Sequence, residues 1–221
     1  MARAITWVMT VLETLLQAAR PALVAAFTLW GSPVTWLEIA AFVLALAMVA
    51  CNLRVHVAGW PLAILSSMAY ALLFADSKLY GESALQGVFI VLALWGWWQW
   101  LRGTAPDGSA LQVRTMSQRH RAAALAATLL AWPALAWLLM RTTDSDVPWF
   151  DALPTAGSIT GQVLLACKWV ENWPVWLAVN LVSVALFAYK GLTLTAVLYA
   201  VFAALSVVGW KAWHQRALQH V

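Results

Sequence analysis

Charge is scarce in this sequence: Asp, Glu, Lys and Arg make up 10% of its 221 residues, while hydrophobic residues make up 63%. A soluble domain carries roughly 25% charged residues, and the mean hydropathy of +0.78 lies on the same side. The composition is that of an all-α polytopic membrane protein. An ion at mid-bilayer costs about 3 kcal/mol or more, which is why the few ionisable residues gather between apolar runs. The net charge of +4 then belongs to loops at a membrane face, and nucleic acid is not an expected partner.

Other absences remove further classes. The two cysteines, Cys51 and Cys167, each follow an alanine near the end of an apolar run and read as small packing residues, so neither a disulfide framework nor a metal cluster is expected. Met1 to Trp30 lacks a compact apolar run ending in a small-residue cleavage site, and no cleavable signal is expected. His56, His120, His214 and His220 all lie at span ends or in loops, which argues against a buried haem or quinone and against an intramembrane Ser–His hydrolase. No Gly-rich phosphate loop is present, so ATP is not the energy source. Glu38 and Asp151 fall at the beginnings of spans rather than in their middles, unlike the carboxylates of ion-coupled pumps. No cofactor and no enzyme activity are expected, and an uncharged aromatic cavity for a small organic molecule remains.

What the chain does have is an internal repeat. Residues 60–100 and 173–213 align without a gap at a constant offset of 113. Both blocks open on Trp-Pro (Trp60-Pro61, Trp173-Pro174) and close on Gly-Trp-x-x-Trp (Gly96, Trp97 and Trp100; Gly209, Trp210 and Trp213). Shared composition does not readily place a lone proline, a glycine and three tryptophans in register, so the blocks are a duplicated structural unit.

Apolar runs near the roughly 20 residues that cross about 30 Å place spans at about 36–53, 60–76, 83–101, 120–140, 150–168, 173–189 and 194–213. Trp36-Leu37-Glu38 matches Trp149-Phe150-Asp151 at the same offset, whereas 120–140 has no counterpart. The duplicated unit is thus three helices long, and the unmatched helix lets both copies run the same way through the bilayer. The expectation is three plus one plus three helices with two parallel repeats. Ahead of them, 5–19 patterns as an amphipathic helix, interrupted at Arg20-Pro21; a tilted span over 5–30 is the alternative. The segments are 1–34 (N-terminal amphipathic or membrane-associated helix), 35–101 (first repeat), 102–148 (basic loop and linker helix), 149–213 (second repeat) and 214–221 (tail).

Counting Lys and Arg by side sets the orientation. Arg54, Arg102, Arg114, Arg119, Arg121, Lys168, Lys211 and Arg216 share one side, against Lys78, Arg141 and Lys190 on the other, joined by Arg3 and Arg20 where the N-terminal helix does not cross. The C-terminus is placed in the cytoplasm.

Polar residues within spans mark a protein-lined cavity. Trp173, Trp176 and Asn180 follow at i, i+3 and i+7, with Ser183 and Phe187 extending that face, and Asn180 lies ~10 Å along the helix from Trp173. The repeat pairs Asn180 with Ser67 and Tyr199 with Gln86, so equivalent positions are polar in both copies. Thr160 and Gln162 are weaker candidates, and Gly157 and Gly161 form a small-xxx-small step for close helix approach. The competing reading puts Trp173 in an interfacial aromatic belt and makes Asn180 a link between helices.

The segments FADSKLYGESALQGVF, WGWWQW, ENWPVWLAVN and KGLTLTAVLY through GWKAW resemble the PnuC family of bacterial vitamin-precursor transporters, over about Trp36 to Trp213. The resemblance implies a SWEET-like fold, a homotrimer in the bacterial inner membrane, and uptake of nicotinamide riboside by facilitated diffusion with trapping by cytosolic phosphorylation. It also implies substrate-lining roles for Gln86, Trp173, Trp176, Asn180 and Tyr199, with Tyr80 as an addition. Some relatives are thought to carry thiamine or other vitamins. A membrane structural or sensor subunit is the alternative from another class; it would use the 102–121 loop to dock a cytosolic partner, but that loop reads as lacking an apolar face.

Overall fold

Thr35 opens the helix Trp36–Leu53. Its hydroxyl accepts the Glu38 N–H at 3.1 Å, which satisfies one of the free donors at the start of a helix. The computed structural model describes residues 10, 13–29, 31–76, 80–105, 108–142, 147–189 and 193–219, with backbone only at 32, 80–82, 84, 142, 187 and 193–195. After a helical segment at 13–19 (α1) come α2 (Trp36–Leu53), α3 (Gly59–Asp76), α4 (Tyr80–Arg102), α5 (Gln118–Thr142), α6 (Pro148–Ala166), α7 (Asn172–Tyr189) and α8 (Thr193–Leu218). The helices α2 to α8 coincide with the expected spans to within a few residues, and α8 continues through the expected tail to Leu218. The basic residues Lys78 and Lys190 lie outside the described residues.

Among the described residues, the helix at 13–19 does not run on into a tilted span toward residue 30. Pro21 has no N–H to continue a helix; Arg20–Ala22 instead makes a 3-10 turn, closed by Leu23 N–H bonds to the carbonyls of Ala19 and Arg20, each at 3.1 Å. Gly31, at φ +84°, then reverses the chain, a conformation that costs glycine no Cβ strain. Strands β1 (Ala25–Leu29) and β2 (Ser32–Thr35) pair antiparallel around it.

Cys51–Val57 and Leu92–Val221 form one compact unit and Met1–Ala50 with Ala58–Val91 another. In the latter, the Ser66 hydroxyl donates to the Ala41 carbonyl at 3.1 Å, tying α3 to α2, and the Ser83 hydroxyl donates to Ala71 at 2.9 Å, tying α4 to α3. Each hydroxyl thus finds a carbonyl partner within the helical layer, as polar groups out of reach of water must.

The larger unit packs α5 on α6, α6 on α7 and α7 on α8. The small-xxx-small step does what its spacing implies: a Cβ on Gly157 would come within 2.5 Å of Val179 Cγ2, and one on Gly161 within 3.0 Å of the Trp176 ring. The unmatched helix α5 exposes much of its apolar surface, Leu130 being 74% accessible. It is joined to α6 through Thr128 and Thr160, whose hydroxyls are 2.7 Å apart. Because Thr128 donates to Ala124 at 2.9 Å, Thr160 is the donor in that pair.

The loop after α4 corrects the expectation that it lacks an apolar face. Leu111, Val113 and Met116 are buried, an extended-chain pattern hidden by the polar residues between them. Arg114 pairs with the α6–α7 turn: its N–H donates to the Lys168 carbonyl at 3.2 Å, and its carbonyl accepts the Val170 N–H at 3.0 Å. Glu171 holds the Met116 N–H at 3.0 Å and pairs with Arg121 at 2.8 Å. The Arg114 guanidinium lies 4.1 Å from the centre of a Trp169 ring. The loop is therefore strapped to its own chain.

Candidate functional site

Asn180 is 5% exposed in the interior of α7. Its Nδ2 is 3.2 Å from Ser206 Oγ on α8, and that hydroxyl is 2.8 Å from the Phe202 carbonyl. A serine hydroxyl has one proton; given to Phe202, it leaves Oγ as an acceptor, which fixes the amide with nitrogen toward Ser206. Among the described residues no donor reaches Asn180 Oδ1, so the amide is oriented with an acceptor to spare. The side chain links two helices and still has hydrogen-bonding capacity for a ligand.

Trp176 stands one turn before Asn180 on the same face. Its indole lies over Gly161, and the ring stays half-buried because only hydrogen occupies the facing position on α6. On α8, Tyr199 is half-buried and meets Phe202 edge to face at 6.2 Å. Tyr199, Phe202 and Ser206 recur at i, i+3 and i+7 and share a face, the one that receives Asn180. The larger unit therefore carries Trp176, Asn180 and Tyr199 on neighbouring faces of α7 and α8.

Trp173 is placed differently from an open aromatic wall. It is 4% exposed, meets Trp213 edge to face at 5.7 Å, and covers Gly209, where an added Cβ would fall within 2.5 Å of three ring atoms. Its indole N–H is buried without a partner among the described residues. Gln86 belongs to the smaller unit, half-buried in α4 and without a hydrogen bond among the described residues. Tyr80 begins α4, but its side chain, like that of Phe187, lies outside the described residues.

Ser206 escaped the reading of the sequence. Its signal was a single hydroxyl in the apolar run AALSVVGW, where the other repeat has Ala93. Thr160, a weaker candidate, is turned to α5 by its bond with Thr128. Gln162 is buried at 7% exposure.

The repeat is visible in the backbone as well. Among the described residues the non-glycine positions at positive φ are Val55 (57°) and Lys168 (54°), and these correspond at the offset of 113. The first helix of each repeat thus ends in the same left-handed turn, a strained conformation for a β-branched valine.

Comparison with known proteins agrees with this architecture. A solved structure described as the vitamin B3 transporter PnuC superposes with a TM-score of 0.69, covering 84% of this chain and 83% of that one at 23% identity. The riboflavin/roseoflavin transporter RibM of Streptomyces davaonensis is 32% identical over 195 residues, 87% of this chain and 91% of that protein. The nicotinamide riboside transporter PnuC of Escherichia coli K12 is 22% identical over 86% of this chain and 92% of its own. Residues 35–215 match the nicotinamide mononucleotide transporter family. The protein therefore belongs to that family and is a multi-pass membrane transporter.

Proposed function

We propose that the protein carries nicotinamide riboside across the bacterial inner membrane by facilitated diffusion, with cytosolic phosphorylation keeping the imported vitamin inside. The observation that carries this reading is the oriented Asn180 amide, its Oδ1 without a donor among the described residues, one turn from the half-buried Trp176 ring. A pyridinium cation favours an indole face by about 0.5 to 2 kcal/mol, and a ribose hydroxyl donates well to a carboxamide oxygen. In this reading Gln86, Tyr199, Trp173 and Tyr80 complete the lining. The chain is a homotrimer of SWEET-like protomers with parallel repeats and a cytoplasmic C-terminus. The segment boundaries are those read from the sequence, with the first helix of 1–34 shortened by the hairpin.

Proteoliposomes containing the protein should take up labelled nicotinamide riboside saturably and stop at equal concentrations inside and out. Accumulation above the bath driven by a proton or sodium gradient sinks the facilitator reading.

A second reading has its own support: the relative at 32% identity is named for riboflavin and roseoflavin. Riboflavin, like nicotinamide riboside, joins a flat heteroaromatic ring to a polyol, and the same indole and amide suit both. Uptake of each labelled vitamin in the presence of the other, with thiamine as a third competitor, separates them, because the true substrate competes at the lowest concentration.

A further inference from the structure

Arg54, Lys168 and Arg216 line an open cavity of about 300 Å³ in the larger unit, together with Val55 and the Leu111–Val113 strip. Among the described residues no carboxylate lines it. Glu171, three residues from Lys168, is committed to Arg121 and to the Met116 N–H.

Backbone carbonyls, one in the loop after α4 and one at the end of α2, account for part of this charge. The Lys168 ammonium donates to the Leu111 carbonyl at 2.9 Å, and Arg216 Nη1 donates to the Leu53 carbonyl at 3.3 Å. Cations near helix C-termini are expected there. Each contact uses one donor of an ammonium that has three or of a guanidinium that has five. Arg54 has an exposed side chain, and its backbone N–H bonds to Cys51, so no carbonyl explains its charge. Burial draws the Lys168 pKa below the ordinary lysine value, as expected of a cation partly stripped of water without a facing anion.

We propose that this cavity binds a phosphate group, carried either by a small soluble molecule or by a lipid headgroup. Arg54 and Arg216 supply planar forks matched to phosphate oxygens, and Lys168 a point charge. Three positive charges without an acid suit a phosphate, whether a monoester dianion or a diester monoanion. The volume is at the lower end of the roughly 300–1,000 Å³ of small-ligand sites, which fits a phosphate with a small attached group. The vitamin-lining candidates Trp173, Trp176, Asn180 and Tyr199 do not line this cavity, and the proposal is independent of which vitamin is carried.

The test uses the full chain in phosphatidylcholine nanodiscs. One arm titrates ribose 5-phosphate by calorimetry, with ribose as the uncharged control; the other follows retention of phosphatidylglycerol over phosphatidylcholine by native mass spectrometry. Arg54→Gln is compared with Arg54→Lys, whose melting curves should match the wild type because the replaced group is exposed. Binding of ribose 5-phosphate but not ribose, weakened about tenfold or more in Arg54→Gln and partly restored in Arg54→Lys, assigns the site to a soluble phosphate. Selective phosphatidylglycerol retention that Arg54→Gln abolishes assigns it to a lipid headgroup. If neither probe binds, or if binding is equal in wild type and Arg54→Gln, the proposal is wrong.

Discussion

Trp100 and Trp213 hold equivalent places in the two repeats, and each donates its indole N–H to the end of the first helix of the other repeat. Trp100 Nε1 reaches the Leu165 carbonyl of α6 at 3.2 Å, and Trp213 Nε1 reaches the Asn52 carbonyl of α2 at 2.9 Å. Asn52 and Leu165 are themselves equivalent at the same offset. The two rings lie 6.1 Å apart. Equivalent ends of the two copies therefore meet at one end of the larger unit, an arrangement that supports parallel repeats. The Asn52 and Leu165 carbonyls also accept the N–H groups of Val55 at 3.1 Å and Lys168 at 3.0 Å from the turns that follow, so each indole fills the second lone pair of a helix-end carbonyl in the other repeat.

The two indoles are not equally important to stability. Trp213 is fully buried while Trp100 is half-buried. Trp213→Phe should remove a buried hydrogen bond that water cannot replace, at a cost of about 1 kcal/mol, although the Asn52 carbonyl keeps its Val55 N–H, and Trp100→Phe should cost less, since water can replace its donor. Melting temperatures of the detergent-solubilised variants should fall in that order; equal shifts would show that the symmetry extends to the energetics.

Gly209→Ala tests why both repeats end on Gly-Trp. The added methyl would meet three atoms of the Trp173 ring at 2.5 Å, and Trp213 packs against the same indole. With little room to move, overpacking of this kind costs about 1 to 3 kcal/mol. A variant as stable as the wild type would mean that the ring shifts freely.

Asn180→Leu and Ser206→Ala separate the two bonds an amide can make. Asn180→Leu removes the spare acceptor and should weaken vitamin binding about 5- to 150-fold, the equivalent of roughly 1 to 3 kcal/mol. Ser206→Ala keeps the amide but frees it to turn, so affinity should fall less than with Asn180→Leu. Calorimetric binding read beside melting curves decides the matter: lower stability with unchanged affinity in both variants assigns Asn180 to helix packing alone.

Trp176→Leu distinguishes cation recognition from simple packing. It should weaken binding of nicotinamide riboside more than that of its neutral reduced analogue, because only the cation draws on the ring quadrupole. Equal losses for both ligands point to shape, and would favour the riboflavin reading.

The helices were legible because a bilayer leaves few choices: an apolar run of the right length must satisfy its own backbone, and a helix does so within one segment. The repeat was legible because Trp-Pro and Gly-Trp-x-x-Trp are rare letters in an Ala- and Leu-rich text. The hairpin at residues 25–35 was not, since AAFTLW reads equally well as helix or strand; the preceding Pro21 and the left-handed Gly31 decide its path only with the paired strand in place. Leu111, Val113 and Met116 were overlooked because three apolar residues so unevenly spaced in a polar loop gain meaning only once the α6–α7 turn lies beside them.

At the candidate site the division is similar. Sequence periodicity alone placed Trp176 and Asn180 on one helical face, because the spacing of side chains along a helix is local geometry. Tertiary structure alone turned Trp173 inward against Gly209, gave Asn180 its partner in Ser206, and drew Arg54, Lys168 and Arg216 around one cavity. Those relations join residues far apart in the chain, and only packing determines which distant groups come within hydrogen-bond or Coulomb range.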